Sequence, residues 1–219
     1  MGGLPRIIAI DGSTRTGKST VASIVAAKSD LPHLNTGLVY RAVGWLALGL
    51  KLDADAPNAE ARMVRHVERL LASDRFRFVD ADHFRVGIRV LSDQDLRSHQ
   101  VTAESSVWAA MAKVRRCLVE MQRRAAANGA VLEGRDIGTV IFPGTPHKFF
   151  LTVTSEERWR RAVERDGELA ARTDQERDER EASRSAAPMK PASDAFVIDT
   201  TKTPAAEVAK LILARIDNG

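Results

Sequence analysis

Between Gly12 and Ser19 the chain reads Gly-Ser-Thr-Arg-Thr-Gly-Lys-Ser, a full match to the spacing GxxxxGK[ST]. Gly12 and Gly17 permit a tight backbone path. The N–H groups exposed along Ser13, Thr14, Arg15 and Thr16, and at the start of a following helix, can surround phosphate oxygens. Lys18 brings a positive charge to the β and γ groups of a triphosphate, Ser19 offers a hydroxyl to Mg²⁺, and Thr20 continues the helix start. The side chain of Arg15 reads equally as a solvated loop charge or as a group near the transferred phosphate. A loop of this kind defines a nucleotide-binding class. By itself it does not choose between a switch, a motor and a small-molecule kinase. No NKxD-like base-reading sequence of GTP switches is present, which favours a kinase.

Other polar constellations fit a second anion site. Transfer between two phosphorylated molecules crowds several phosphoryl groups together, and arginine forks bind their oxygens in pairs while staying charged. Arg41 follows Tyr40 in "TGLVYRAV", with Thr36 and Gly37 just ahead. Gly134-Arg135-Asp136 follows an apolar run, the place where α/β proteins put binding residues; a structural salt bridge is the plainer reading of that pair. Arginines 158, 160, 161, 165, 172, 177, 180 and 184 form a run that is either a solvated face or a lid closing over phosphates.

These residues need a scaffold. An apolar run from Arg6 to Ile10 precedes the glycine-rich turn, and a helix-compatible stretch follows from Lys18 to about Lys28. Segments 36–50 and 58–73 carry helical spacing. "RFRFVDADHFRVGIRVL" alternates in part and predicts two or three short strands joined by turns. Residues 103–127 are helix-rich with a bend, "AVLEG" and "KFFLTV" read as strands, and Thr154 or Ser155 caps the helix after the second. "AFVIDT" and "PAAEVAKLILARI" supply a last strand and helix. Strands alternating with helices predict an α/β fold with a mostly parallel central sheet flanked by helices.

Composition narrows the class. The net charge is +4, but much of the arginine is interleaved with acids, so nucleic acid is not an expected partner. A lone Cys117 rules out a disulfide framework within the chain, and His33, His66, His83, His99 and His147 form no metal motif. The first residues do not read as a signal peptide and no apolar stretch approaches a membrane span, so a cytoplasmic, membrane-free monomer is expected.

The phosphate loop together with "TGLVYRAV", "AVLEGRDIGTVIFP" and "RSAAPMKPASDAFVIDT" resembles the bacterial cytidylate kinases, relatives of the other nucleoside monophosphate kinases, from about Arg6 through Ile216. The resemblance implies one kinase domain over residues 1–219. Within it would lie a monophosphate-binding region at about 36–105 containing the small strand excursion, a short mobile lid at about 158–187, and a P-loop core. It implies transfer of the γ-phosphoryl group of ATP, with Mg²⁺, to CMP or dCMP. In that pattern Arg41, Thr36, Gly37 and Arg135 meet the acceptor's phosphate, Tyr40 adjoins them, and Asp136, Arg115 and Ser106 face the base. Asp136 could accept from the cytosine amine while Arg115 donates to the ring; uracil would set acceptor against acceptor. Arg177 and Arg184 would join Lys18 and Arg135 on the transferred phosphate, Glu181 would position the ribose, and Arg161 would approach the donor phosphates. Two departures stand out: Asn35 replaces a usual Asp, and Glu181 stands where the family places Asp. UMP or dTMP kinase activity, and a nucleotide-dependent regulatory module, remain the competing readings.

Overall fold

The computed structural model describes residues 6–169, 171, 172, 174, 175 and 189–218. In chain order its elements are β1 (Ile7–Gly12), α1 (Lys18–Ser29), β2 (His33–Asn35), α2 (Thr36–Gly49), α3 (Ala59–Ala72), β3 (Phe76–Phe78), β4 (His83–Val86) and β5 (Arg89–Ser92). Then come α4 (His99–Ala110), α5 (Ala112–Ala125), β6 (Ala130–Gly134), a π-helical turn (Ile137–Ile141), β7 (His147–Thr152), α6 (Ser155–Asp166), β8 (Phe196–Asp199) and α7 (Ala205–Asp217). Two units divide these elements: one comprises residues 1–33 and 128–219, the other Leu34–Ala127.

The first unit is built on a sheet of order β2-β6-β1-β7-β8, which the chain leaves within β2. β1 pairs in parallel with β6 and with β7, and β7 in parallel with β8. A central parallel strand is covered on both faces, which is why every residue of β1 is buried and why it reads as a continuous apolar run. Ile8, Ile10, Val21, Val25, Val131, Phe149, Leu151, Val208 and Ile212 form one core that fixes α1 and α7 to the sheet. Each such side chain contributes roughly 1.5–3 kcal/mol on full burial. Gly12 has a packing reason to be glycine: a Cβ there would lie 2.3 Å from the Leu151 carbonyl oxygen. The register Ile10↔Glu133 and Asp11↔Gly134 brings both acids to the same end of the sheet, one residue out of step and so on opposite faces.

The second unit packs α2 on α4. Their approach is close at Gly44, where a Cβ would stand 2.6 Å from the Val101 carbonyl oxygen. β3, β4 and β5 form a separate antiparallel sheet, with Phe84 edge-on to Phe76 and Phe78 at 4.8 and 5.2 Å between ring centres. The expected strand excursion is thus three strands, and the expected bend in the 103–127 helix falls at Met111, whose extended backbone (φ −76°, ψ 123°) separates α4 from α5. Thr154 caps α6 by accepting from the Glu157 N–H at 3.4 Å. β2 and the π turn are additions to the sequence-based expectation. No helix among the described residues is long and apolar enough to cross a membrane.

Candidate active site

The phosphate loop leaves β1 and turns into α1 through two residues with positive φ, Arg15 at 60° and Gly17 at 84°. Left-handed geometry at Gly17 directs the chain into the helix, whose first N–H groups have no intrahelical acceptor. The Lys18 ammonium folds back and donates to the Ser13 carbonyl at 2.5 Å and to Thr16 Oγ1 at 3.3 Å. It is therefore held over the loop, with its side chain largely shielded from solvent. Outside the loop, the Thr200 hydroxyl donates to the Thr16 carbonyl at 3.0 Å.

Two acids at the strand ends flank this lysine. Glu133, on β6, places Oε2 2.9 Å from Ser19 Oγ and Oε1 3.2 Å from His33 Nε2. Burial works against its charge, yet the hydrogen bond and charge of His33, followed by Lys18 and Ser19, hold its carboxyl below the usual range. The result is a buried carboxylate that accepts from the Ser19 hydroxyl at the start of α1. Sequence reasoning passed over Glu133; an acid at the end of the strand beside the phosphate-loop strand is the signal that marks it.

Asp11 does a different job. Its Oδ1 accepts from the Ile137 N–H and its Oδ2 from the Gly138 N–H, both at 2.8 Å. Those bonds pin the start of the π turn to β1, and with it Asp136, the residue that precedes the turn. Burial pushes the Asp11 carboxyl up to about 7 from 3.8 despite both hydrogen bonds, and the neighbouring Asp136 adds to the rise. Between those values the folded protein keeps a proton that the unfolded chain has released. The stability gained from this group is therefore fully present below pH 3.8 and lost as pH rises through 7. The span is on the order of 4 kcal/mol. Melting temperatures recorded from about pH 5 to pH 8 are expected to fall for the parent protein and to fall less for Asp11→Asn; equal slopes would assign the fall to other groups.

Arg135 is brought to the loop: its Nη1 donates to the Gly12 carbonyl at 2.7 Å. Asp136 is buried beside it, its carbonyl accepting from Val140 N at 2.9 Å. Arg161 of α6 donates to the Arg15 carbonyl at 3.1 Å and to the Thr200 carbonyl at 2.6 Å, while its Nε pairs with Glu157 at 2.8 Å. Arg161 thus braces the loop from behind through backbone carbonyls. Beside it opens a cleft of about 340 Å³ lined by Gly17, Val21, Arg161, Pro204 and Val208 among others. Apolar walls next to a phosphate cradle suit the flat ring of a nucleotide base.

In the second unit, Asn35 caps α2 by accepting from the Gly37 N–H at 3.1 Å. The amide in place of a carboxylate therefore still orders the helix start. Arg41, one turn on, folds back to that start: a Cβ on Gly37 would stand 3.0 Å from Arg41 Nη1. A guanidinium over exposed helix N–H groups, with Thr36 at hand, is an arrangement for an anion. Asp93 orients it, pairing with both Arg41 and Arg97. Burial raises the Asp93 carboxyl, but these two arginines hold it below the usual range. Arg115, buried on α5, stacks its guanidinium 5.5 Å from the centre of the Tyr40 ring. Ser106 gives its hydroxyl to the Thr102 carbonyl at 3.2 Å, in the helix. The two sets of residues sit in different units, each with its own anion-binding geometry. Arg177, Glu181 and Arg184 lie outside the described residues. Among the described residues no group of three or more His, Cys, Asp or Glu could hold a metal ion unaided.

The sequence matches known proteins over most of its length. A family model described as cytidylate kinase matches residues 8–218. A cytidylate kinase of Granulibacter bethesdensis is 41% identical over 207 residues, which cover 89% of this chain and 88% of that protein. Another, of Methylocella silvestris, is 40% identical over 222 residues, covering 97% of this chain and 94% of that protein.

Proposed function

Because this chain belongs to the cytidylate kinase family, we propose that it transfers the γ-phosphoryl group of ATP to CMP or dCMP, forming ADP and CDP or dCDP. The match across almost the whole chain carries this reading. The phosphate loop supports the donor's place: loop N–H groups, Lys18 and the cleft beside Val21 and Pro204 receive its phosphates and base. Thr36, the start of α2 and Arg41 receive the acceptor's α-phosphate. Its own oxygen is the nucleophile, so no carboxylate base is needed, and positioning plus charge stabilisation supply the rate. Lys18 and Arg135 balance the charge that spreads over the transferred group, joined by Arg177 and Arg184.

The polar pair at the loop fits a hard divalent cation. Ser19 Oγ would hold Mg²⁺, and Glu133, ionised and 2.9 Å from that hydroxyl, would accept from the metal's water shell. Held there, the cation would supply positive charge to offset that of the donor's phosphates. A lone Cys117 supports work in a reducing cytoplasm.

Asp136 and Arg115 are the proposed base readers. An acceptor panel of CMP, dCMP, UMP, dUMP, dTMP and AMP with ATP/Mg²⁺ is expected to give turnover with the cytidine nucleotides above all others. Asp136→Ala is expected to reduce the CMP/UMP ratio of kcat/KM by about 10–100-fold, the worth of a lost polar pair, with a smaller change in ATP binding. Equal use of UMP by the parent protein, or an unaltered ratio in the variant together with weakened ATP binding, contradicts the assignment.

A further inference from the structure

Arg15 occupies backbone space that arginine seldom enters. Its φ of 60° lies in the left-handed region, where glycine, asparagine and aspartate are the usual residents. The side chain is nevertheless not given to solvent: it is 11% exposed. Nη1 stands 2.7 Å from Asp166 Oδ2, and Nε stands 2.6 Å from Asp174 Oδ2. Asp166 is the last residue of α6, and Asp174 comes from the segment just beyond it. The carbonyl of the same arginine accepts from Arg161, also on α6. One strained loop residue is therefore gripped at both its backbone and its guanidinium by a single arm of the chain. Backbone strain that persists beside a ligand site, when a glycine would relieve it, marks a side chain with work to do.

Charge suggests the work. Asp166 and Asp174 bring two carboxylates to a residue of the phosphate loop, where a polyanionic donor is to bind. Carboxylates left uncompensated there would repel the donor, and more strongly in the low dielectric of a half-buried cluster than in water. Resting on the proposed placement of the donor, we propose that Arg15 is a positioning residue for donor binding. It neutralises Asp166 and Asp174 and pins the α6 arm to the phosphate loop, so that the donor meets a loop already held in shape.

The full chain carries the test in five forms: the parent, Arg15→Gly, Arg15→Lys, Asp166→Asn/Asp174→Asn, and the triple variant that joins Arg15→Gly to both asparagines. Glycine keeps the left-handed backbone and removes only the side chain. Affinity for a non-hydrolysable ATP analogue with Mg²⁺ is measured by calorimetry at low and high salt, alongside KM for ATP against kcat, with circular dichroism and melting as fold controls. Arg15→Gly is expected to weaken analogue binding by about tenfold or more in the parent background, partly restored by salt, with KM moving more than kcat. In the acid-free background the same change is expected to cost less than about threefold, since the repulsion it unmasks has gone. Arg15→Lys is expected to fall between parent and glycine. A loss of equal size in both backgrounds would make Arg15 a direct ligand of the nucleotide and overturn the proposal. So would no loss in either, or a folded lysine variant as weak as the glycine one. If the parent itself fails to bind the analogue, the donor reading fails and takes this inference with it; binding by the parent without coupling sinks the inference alone.

Discussion

Lys18→Ala is expected to lower kcat/KM for ATP by about 10²–10³-fold, the usual consequence of removing one preorganised charge from a developing anion. The geometry explains why nothing substitutes for it. Its ammonium is tethered over the loop by the Ser13 carbonyl and Thr16 Oγ1 and is shielded from water, so its attraction for phosphate is little screened. Arg135 approaches the loop from the end of β6, where its Nη1 donates to the Gly12 carbonyl; its proposed share of the charge is exerted from there and leaves the Lys18 position unfilled. Initial rates of CDP formation, set against thermal melting of the same preparations, decide the matter. A variant that keeps its melting behaviour and turns over within about threefold of the parent would remove Lys18 from the chemistry.

The second large effect is expected at Glu133. Glu133→Gln preserves shape and a hydrogen bond to Ser19 but deletes a buried charge that His33 and Lys18 help to hold ionised. Turnover is expected to drop by about 10–100-fold, the range for groups that orient a metal's ligands, with half-maximal activity moving to higher Mg²⁺ concentration. Mg²⁺ titrations of activity and of ATP-analogue binding read the two parts separately. An unchanged Mg²⁺ dependence in both would leave Glu133 as a packing acid.

How far these residues could be read from sequence depended on the range of the forces that place them. The phosphate loop was legible because its determinants are local: glycines, a lysine and a serine at fixed offsets between a strand and a helix. The strand excursion was legible through alternation, as two or three strands; a bend within 103–127 was expected without a position, and the extended backbone at Met111 supplies it. β2 is only three residues long and offers no period to detect. The π turn has its cause in Asp11, more than a hundred positions earlier, whose carboxylate takes the N–H groups of Ile137 and Gly138. Glu133 becomes meaningful once β6 lies beside β1 in the observed register. Arg15 looked ambiguous because its partners, Asp166 and Asp174, are equally remote in the chain. Arg161 was assigned to donor phosphates on family resemblance; its hydrogen bonds go to the carbonyls of Arg15 and Thr200, a support that no local pattern encodes.

The first unit is interrupted after His33 and resumes at Asn128, and the strands on either side of the gap are stitched by the Val131 N–H to the Pro32 carbonyl at 2.9 Å. An insertion whose two ends leave from neighbouring strands is a cassette. Its length and content can drift, or be exchanged by recombination, while the parallel strands keep their pairing. With Arg41 and Arg115 as proposed acceptor ligands, that cassette carries one share of the choice of acceptor; Asp136, the other proposed base reader, stays with the parallel strands, so a lineage that exchanged the cassette would still carry half of its reader in the unit that holds ATP.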